Sequence, residues 1–173
     1  LGYLLDALEK GPNANNTIVV LWSDHGWHLG EKEHWQKFTL WRACTRVPLI
    51  IRVPSGISRS LVSGTQPSLC SKPVNLLSLA PTLFELCDLD SSSKHDGPSL
   101  VPLLKNPNAS WDHVSLTHLQ EPGSYSLSEE NWRYIKYANG EEELYNIKKD
   151  PFEWDNLVSS PMYAENLKRL RKK

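Results

Sequence analysis

The chain has 173 residues, of which 39% are hydrophobic and 23% charged, and its net charge at pH 7 is −1. This composition permits a packed core and lacks the excess of charge over apolar residues that marks disordered chains. The near-neutral charge does not indicate a general polyanion binder such as a nucleic-acid coat protein, although it leaves local binding of a sulfated polymer open. The sequence contains no apolar run of the length that a membrane span needs.

The first fifty residues show the pattern of an α/β fold. Leu1, Leu4, Leu5 and Leu8 share one face of a predicted helix, which Gly11-Pro12 ends. Because the chain begins within this pattern and shows no signal peptide, we expect the natural N-terminus to lie upstream. The continuous apolar run at residues 17–22 predicts a strand buried on both faces, as in a parallel sheet. A second such strand is predicted at residues 47–53.

The next segment alternates predicted loops with short helices. Residues 55–73 and 91–93 are rich in Ser and read as loops. Between them, Ser78 is predicted to cap a helix that ends near Leu89. The buried stripe of this helix is predicted to consist of Leu79, Leu83 and Leu86.

Beyond residue 105 the pattern changes to short strands. Strands are predicted at residues 113–119, 132–137 and 143–145, and Asn139-Gly140 is a strong hairpin signal between the last two. A closing helix at residues 162–171 should turn Leu167 and Leu170 inward. We therefore expect an α/β domain end at residues 1–105 and a small α+β subdomain at residues 106–173.

Two polar residues follow the first predicted strand. In open α/β sheets, ligands bind beyond the carboxyl ends of strands, so Asp24 and His25 stand where chemistry is expected. A carboxylate and an imidazole can together bind a divalent ion. In isolation, such a pair also fits a capping carboxylate beside a surface histidine.

The three cysteines show neither a zinc-binding spacing nor a CxxC redox motif. Their odd number excludes a complete internal disulfide framework. One disulfide with a free thiol, or three thiols, stay open for Cys44, Cys70 and Cys87.

Three stretches carry a resemblance to a known family: SDHGWHLGE at residues 23–31, HWQK at 34–37 and TRVPLI at 45–50. They closely resemble the sulfatase family of the alkaline-phosphatase superfamily, and most of all its iduronate-2-sulfatase branch and bacterial relatives. The resemblance extends over residues 17–157. It implies the C-terminal part of an alkaline-phosphatase-like sheet with flanking helices, followed by a subdomain with an antiparallel hairpin.

The resemblance assigns roles to three residues. Asp24 would be a carboxylate ligand of an active-site calcium ion, and His25 would bind the same metal or contact the sulfate. Calcium prefers oxygen ligands, so a histidine there leaves manganese or another divalent ion open. Lys37 matches the lysine that binds the sulfate group, where its charge would stabilise negative charge on the sulfuryl oxygens.

The resemblance also suggests residues that contact the substrate. His118, Gln120 and Tyr125 lie in the part of the subdomain that faces the active site in this family, and we predict that they contribute to specificity. His28 and His34 could each reach the substrate or hydrogen-bond a neighbouring loop, and His34 is included among the predicted substrate contacts.

Sulfatases of this family carry their nucleophile in a C/S-x-P-x-R motif, whose first residue is oxidised to formylglycine. None of the three cysteines stands in such a motif, and the further metal carboxylates of the family's N-terminal half are absent as well. We therefore expect the formylglycine in an N-terminal part of the same protein. Residues 1–173 alone are predicted to be inactive.

The resemblance implies a sulfuric ester hydrolase for sulfated sugars or glycosaminoglycans, in a secreted, periplasmic or lysosomal setting. Nucleic-acid binding and a membrane span are not expected. Two alternatives stay open: a phosphonate or phosphate diester hydrolase of the same superfamily, and a non-catalytic glycan-binding module.

Overall fold

A computed structural model describes residues 1–58, 67–90, 94–120 and 122–173. The predicted loop at residues 91–93, and residues 59–66 of the preceding one, lie outside the described residues. The α-helices are α1 (Gly2–Glu9), α2 (Arg42–Thr45), α3 (Ser55–Ser58), α4 (Leu79–Leu86), α5 (Val101–Lys105) and α6 (Ala164–Leu170). The strands are β1 (Val19–Trp22), β2 (His28–Leu29), β3 (Trp35–Gln36), β4 (Leu49–Arg52), β5 (Ser115–His118), β6 (Tyr125–Ser128), β7 (Trp132–Lys136) and β8 (Glu142–Asn146).

The chain divides into two compact units that each combine distant segments. The first unit contains Leu1–Trp22, Leu49–Ser71 and Asn75–Trp111, and the second contains Ser23–Pro48, Lys72–Val74 and Asp112–Lys173. The predicted domain boundary after residue 105 stays a prediction, since compact units of a chain need not coincide with its domains. Within the described ranges, no helix is long and apolar enough to cross a membrane.

The first unit is built around an antiparallel pair of strands. β1 and β4 pair antiparallel, with Val20 opposite Ile51. Leu21, Trp22 and Ile50 are 37%, 49% and 58% exposed, so the apolar side chains do not fill two buried faces. The prediction of a parallel, doubly buried strand is therefore wrong for the pairing in this chain. The apolar run located the strand, but it carries no information about the direction of its partner.

The predicted helix is present as α4, but its cap and its buried face differ from the prediction. Asn75, rather than Ser78, provides the cap: its side chain accepts a hydrogen bond of 3.0 Å from the Leu77 N–H and opens a 3₁₀ turn at Leu76–Ser78. Leu86 is buried, but the middle of the buried face is Thr82 instead of a leucine. The Thr82 hydroxyl accepts the Leu100 N–H at 2.8 Å and so connects α4 to the start of α5.

The second unit contains a four-stranded antiparallel sheet in the order β5-β6-β7-β8 and the short antiparallel pair β2-β3. Three strands and the predicted hairpin at Gly140 are confirmed, with Gly140 at a left-handed φ of 90°. β6 was not predicted. Its alternate residues Ser126 and Ser128 look solvent-facing in the sequence, yet both accept hydrogen bonds from Arg133 in the neighbouring strand.

Both faces of this sheet are covered. On one face, α6 packs Leu167 and Leu170 against the strands, as predicted, in a core with Leu127, Tyr134 and Leu144. On the other face, Ile135 and Tyr145 pack with Leu40, which lies in the segment between β3 and β4. The segment between β3 and β4 therefore packs on this face of the sheet through Leu40.

We expect replacement of Leu170 by Ala to lower the free energy of unfolding by about 2–5 kcal/mol, because the side chain is fully buried and its removal leaves a cavity. Chemical denaturation measures the change. The matched control is Leu69→Ala, at a leucine that is 97% exposed, for which we expect a change within about 0.5 kcal/mol. Equal effects of the two substitutions would contradict the assignment of this core.

Candidate functional site

The segment Ser23–Pro48, here called the site loop, brings together the three residues that the sequence singled out most strongly. The Lys37 Nζ lies 3.0 Å from the His25 Nε2, although twelve positions separate the two residues. The Asp24 Oδ2 lies 3.4 Å from the same nitrogen. A carboxylate, an imidazole and an ammonium group thus form one polar cluster.

The hydrogen bonds of His25 determine its tautomer. Its Nδ1 lies 2.7 Å from the Gly26 carbonyl oxygen, which can only accept, so Nδ1 carries the hydrogen. In the neutral ring, Nε2 then has a free lone pair and accepts a hydrogen bond from the Lys37 ammonium group. Lys37 has three N–H donors, so two of them are left for an anion.

A close backbone approach fixes the turn that carries His25. The Gly26 N–H donates to the Cys44 carbonyl oxygen at 2.6 Å. A Cβ atom on residue 26 would lie 2.1 Å from the Ala43 carbonyl oxygen, closer than atoms can approach. The position therefore requires glycine, and the turn is held against α2 of the same loop.

The backbone around Lys37 has an unusual conformation. Gln36 and Phe38, on its two sides, have φ values of 85° and 67°, which non-glycine residues rarely adopt. Lys32 and Glu33 are also left-handed, at 54° and 56°. Such conformations persist only where the surroundings enforce them, and they concentrate at functional sites.

The two weaker histidine candidates have different surroundings. His28 is fully buried, with its Nδ1 3.2 Å from the Glu31 carbonyl oxygen and its Nε2 2.7 Å from the Thr39 hydroxyl. Both ring nitrogens are thus used inside the loop. His34 is half-buried, and its Nε2 donates to the Lys37 carbonyl oxygen at 3.3 Å. Its role in substrate binding stays a prediction.

The structure places the other predicted substrate contacts on the four-stranded sheet. His118 and Gln120 are exposed at the end of β5. Tyr125 pairs with His118 across the strands, and their ring centroids are 6.1 Å apart. Because Tyr125 also packs edge to face with the buried Tyr134, part of its ring belongs to the core. Their proposed roles in specificity stay predictions.

Two exposed aromatic rings flank the polar cluster. The Trp27 ring is 51% exposed, and its centroid lies 6.1 Å from that of His25. The Phe38 ring is 62% exposed, and the Lys37 Nζ lies 5.4 Å from its centroid. Sequence reasoning did not single out Phe38, although its position directly after Lys37 was a usable signal.

The residues present suit a divalent ion only as part of a ligand set. Calcium takes about six to eight oxygen ligands. Within the described parts of the chain, no group of three or more His, Cys, Asp and Glu side chains could hold a metal. The Asp24 side chain is 76% exposed, so its carboxylate oxygens are available as metal ligands. The His25 Nε2, in contrast, already accepts a hydrogen bond from Lys37. Asp24 is therefore the residue that fits a metal here.

Comparison with known proteins gives consistent matches over the whole chain. Residues 30–173 match the family profile described as N-sulphoglucosamine sulphohydrolase, C-terminal. A protein of Formosa agariphila named sulfatase is 35% identical over 99% of this chain and 32% of its own length. The N-acetylglucosamine-6-O-sulfatase of Bacteroides thetaiotaomicron is 33% identical over 98% of this chain and 31% of its own length.

A solved structure shows the same architecture. It is a complex of a protein with its substrate D-glucosamine-2-N,6-O-disulfate, with a TM-score of 0.79 and 31% identity. The match covers 99% of this chain and 36% of that protein. The chain thus spans about a third of the length of the proteins that it resembles.

Replacement of Gly26 by Ala should lower the free energy of unfolding by about 1–3 kcal/mol, because the added methyl group forces the turn away from Ala43. Chemical denaturation again provides the measurement. Gly2→Ala is the control, since a Cβ there meets nothing within 4 Å. If Gly26→Ala proved as stable as this control, the close approach would be ruled out.

His28 should stay neutral at mildly acidic pH, because burial lowers its pKa below the ordinary value of 6.5. The unfolded chain then binds one more proton than the folded chain as the pH falls through 6.5. We therefore expect the free energy of unfolding to decrease from about pH 7 to about pH 5, and to decrease less in His28→Gln. NMR titration of the imidazole checks the pKa directly, and a value above 6.5 would contradict the assignment.

Proposed function

Because this chain belongs to the sulfatase family and corresponds to its C-terminal portion, we propose that the complete protein is a sulfuric ester hydrolase that acts on sulfated sugars. The observation that carries the proposal is the contact of 3.0 Å between the Lys37 ammonium group and His25. It places a fixed positive charge, with two donors left over, beside an oriented imidazole.

Lys37 is assigned to the sulfate group. Its positive charge stabilises the negative charge on the sulfuryl oxygens in the transition state, and the hydrogen bond to His25 keeps the ammonium group in position. The His25 ring, with its hydrogen on Nδ1, accepts this hydrogen bond at Nε2, which also lies 3.4 Å from the Asp24 Oδ2. His25 is assigned to the reacting centre as the partner that orients Lys37, and the family resemblance implies a contact of its ring to the sulfate or to the metal.

Asp24 is assigned as an oxygen ligand of a divalent ion, which we propose to be calcium. When bound, the ion adds positive charge beside the sulfuryl oxygens. Asp24 supports this role because its carboxylate is exposed and adjoins His25. We assign the remaining ligands and the formylglycine nucleophile to an N-terminal part of the same protein. It follows that residues 1–173 alone should not hydrolyse sulfate esters.

The proposed substrate is a sulfated sugar of the glycosaminoglycan type. Support comes from one relative that is named N-acetylglucosamine-6-O-sulfatase and from a related structure in complex with D-glucosamine-2-N,6-O-disulfate. His34, His118, Gln120 and Tyr125 are the proposed substrate contacts. Iduronate 2-sulfate belongs in the set of test substrates, because the SDHGWHLGE stretch resembles the iduronate-2-sulfatase branch.

In the complete protein, we expect Lys37→Ala to lower kcat for a sulfated monosaccharide by about 100- to 1000-fold, because a preorganised donor to the developing charge is lost. Asp24→Asn should lower the affinity for calcium. The rate of sulfate release measures kcat, and a calcium titration measures the affinity for the ion. The matched control is Lys168→Ala on the exposed side of α6, which should leave kcat unchanged.

The same assays separate the alternatives. Faster hydrolysis of phosphonate or phosphate diesters than of sulfate esters would favour the phosphoryl-transfer reading. Binding of sulfated glycans by the complete protein without any turnover would favour a non-catalytic module. Hydrolysis of a sulfate ester by residues 1–173 alone would overturn the assignment of the nucleophile to another part of the protein.

A further inference from the structure

A buried pair of opposite charges lies behind the site loop. The side chains of Arg133 on β7 and of Glu153 are only 3% and 2% exposed, and the Arg133 Nε lies 3.1 Å from the Glu153 Oε1. Burial lowers the pKa of Arg133 to about 10 and raises the pKa of Glu153 above its ordinary value. Removing two charges from water is costly, so other contacts have to offset the cost.

Arg133 uses its donors on the site loop and on the sheet. Its Nε donates to the Leu40 carbonyl oxygen at 3.0 Å, and its Nη2 donates to the Thr45 hydroxyl at 2.7 Å and to the Ser126 hydroxyl at 2.9 Å. Because the Nε hydrogen is directed at Leu40, the nearby Glu153 Oε1 is held by charge attraction and not by a hydrogen bond.

Glu153 holds two further points of the same loop. Its Oε2 accepts the Arg42 backbone N–H at 2.8 Å. Its backbone carbonyl accepts a hydrogen bond from the Lys32 ammonium group, which also lies 4.8 Å from the Trp41 ring centroid and 4.7 Å from that of Tyr145. Residues 32, 40, 42 and 45 of the loop are thus attached to one buried centre.

These attachment points lie next to both halves of the polar cluster. Leu40 follows Lys37 by three residues, so its carbonyl anchors the part of the loop that carries the ammonium group. Cys44 lies between Arg42 and Thr45, and its carbonyl oxygen accepts the Gly26 N–H, so the same centre anchors the turn that carries His25. One ion pair therefore supports two loop segments that are twelve positions apart.

We propose that Arg133 and Glu153 are positioning residues, which hold the site loop so that Lys37 and His25 face each other. We call this pair the loop clamp. The catalytic part of the inference rests on the proposed function, whereas the geometric part concerns the tautomer and hydrogen bond of His25 alone.

The test uses Glu153→Gln in the complete protein. The amide keeps the volume and an acceptor for the Arg42 N–H, but it removes the charge that faces Arg133. The matched control is Glu129→Gln, which breaks a different ion pair of the same unit, to Arg169. Thermal unfolding establishes that each variant folds. Imidazole ¹⁵N spectra, with the His25 signal assigned by His25→Gln, then report which ring nitrogen carries the hydrogen.

In the wild type and in the control, we expect hydrogen on the His25 Nδ1 only. In Glu153→Gln, the His25 signals should move toward a mixture of tautomers, and kcat should fall by about 10- to 100-fold with a smaller change in KM. A folded Glu153→Gln variant with the wild-type His25 spectrum would overturn the loop clamp.

Two further results keep the test decisive. If Glu153→Gln does not fold, Thr45→Val removes one acceptor of Arg133 at nearly constant shape, and its His25 spectrum decides in the same way. If the wild type hydrolyses no sulfate ester, the proposed function fails, and the His25 spectra of the variants still support or overturn the clamp.

Discussion

The attraction between the buried Arg133 and Glu153 is the constraint on which the second unit depends. Without a partner, either charge in this position would be strongly destabilising, so the two side chains must be buried together. Their hydrogen bonds go to the backbone of the site loop at Leu40 and Arg42 and to the hydroxyl groups of Thr45, Ser126 and Ser128. The second unit is therefore complete only when the site loop packs against the sheet of β5–β8, whose residues come later in the chain.

The two faces of that sheet pack against different parts of the chain, namely α6 and the site loop. One face is apolar and packs α6 through Leu167 and Leu170, which stabilises the unit by excluding water. The opposite face carries Ile135 and Tyr145, next to the buried ion pair, and receives the site loop through Leu40. The helix on the first face is held by apolar packing and by the ion pairs of Arg169 and Arg171 with Glu129 and Glu142. The site loop on the second face is held by the hydrogen bonds that Arg133 and Glu153 make with its backbone.

The sequence predicted what local pattern encodes. Helical periodicity located α4 and α6, and the SDHGWHLGE stretch with Lys37 identified the cluster that the structure brings together. It could not reveal the clamp, because Arg133 and Glu153 lie apart from each other in the chain and far from the loop that they hold. The strand β6 was missed because Ser126 and Ser128 resemble solvent-facing residues in the sequence, whereas both accept hydrogen bonds from Arg133. The predicted parallel pairing of β1 was wrong because the direction of pairing depends on the partner strand and not on the residues of β1.

The left-handed backbone at Gln36 and Phe38 limits which residues these two positions can accept. Both side chains project into solvent, while the conformation of the main chain fixes the direction of Lys37 between them. Glycine or asparagine can adopt these angles readily, whereas β-branched residues resist them. These two positions therefore restrict the backbone freedom of a substituted residue more than the chemistry of its side chain. A substitution of Gln36 or Phe38 therefore keeps the direction of Lys37 only if the new residue accepts a left-handed backbone.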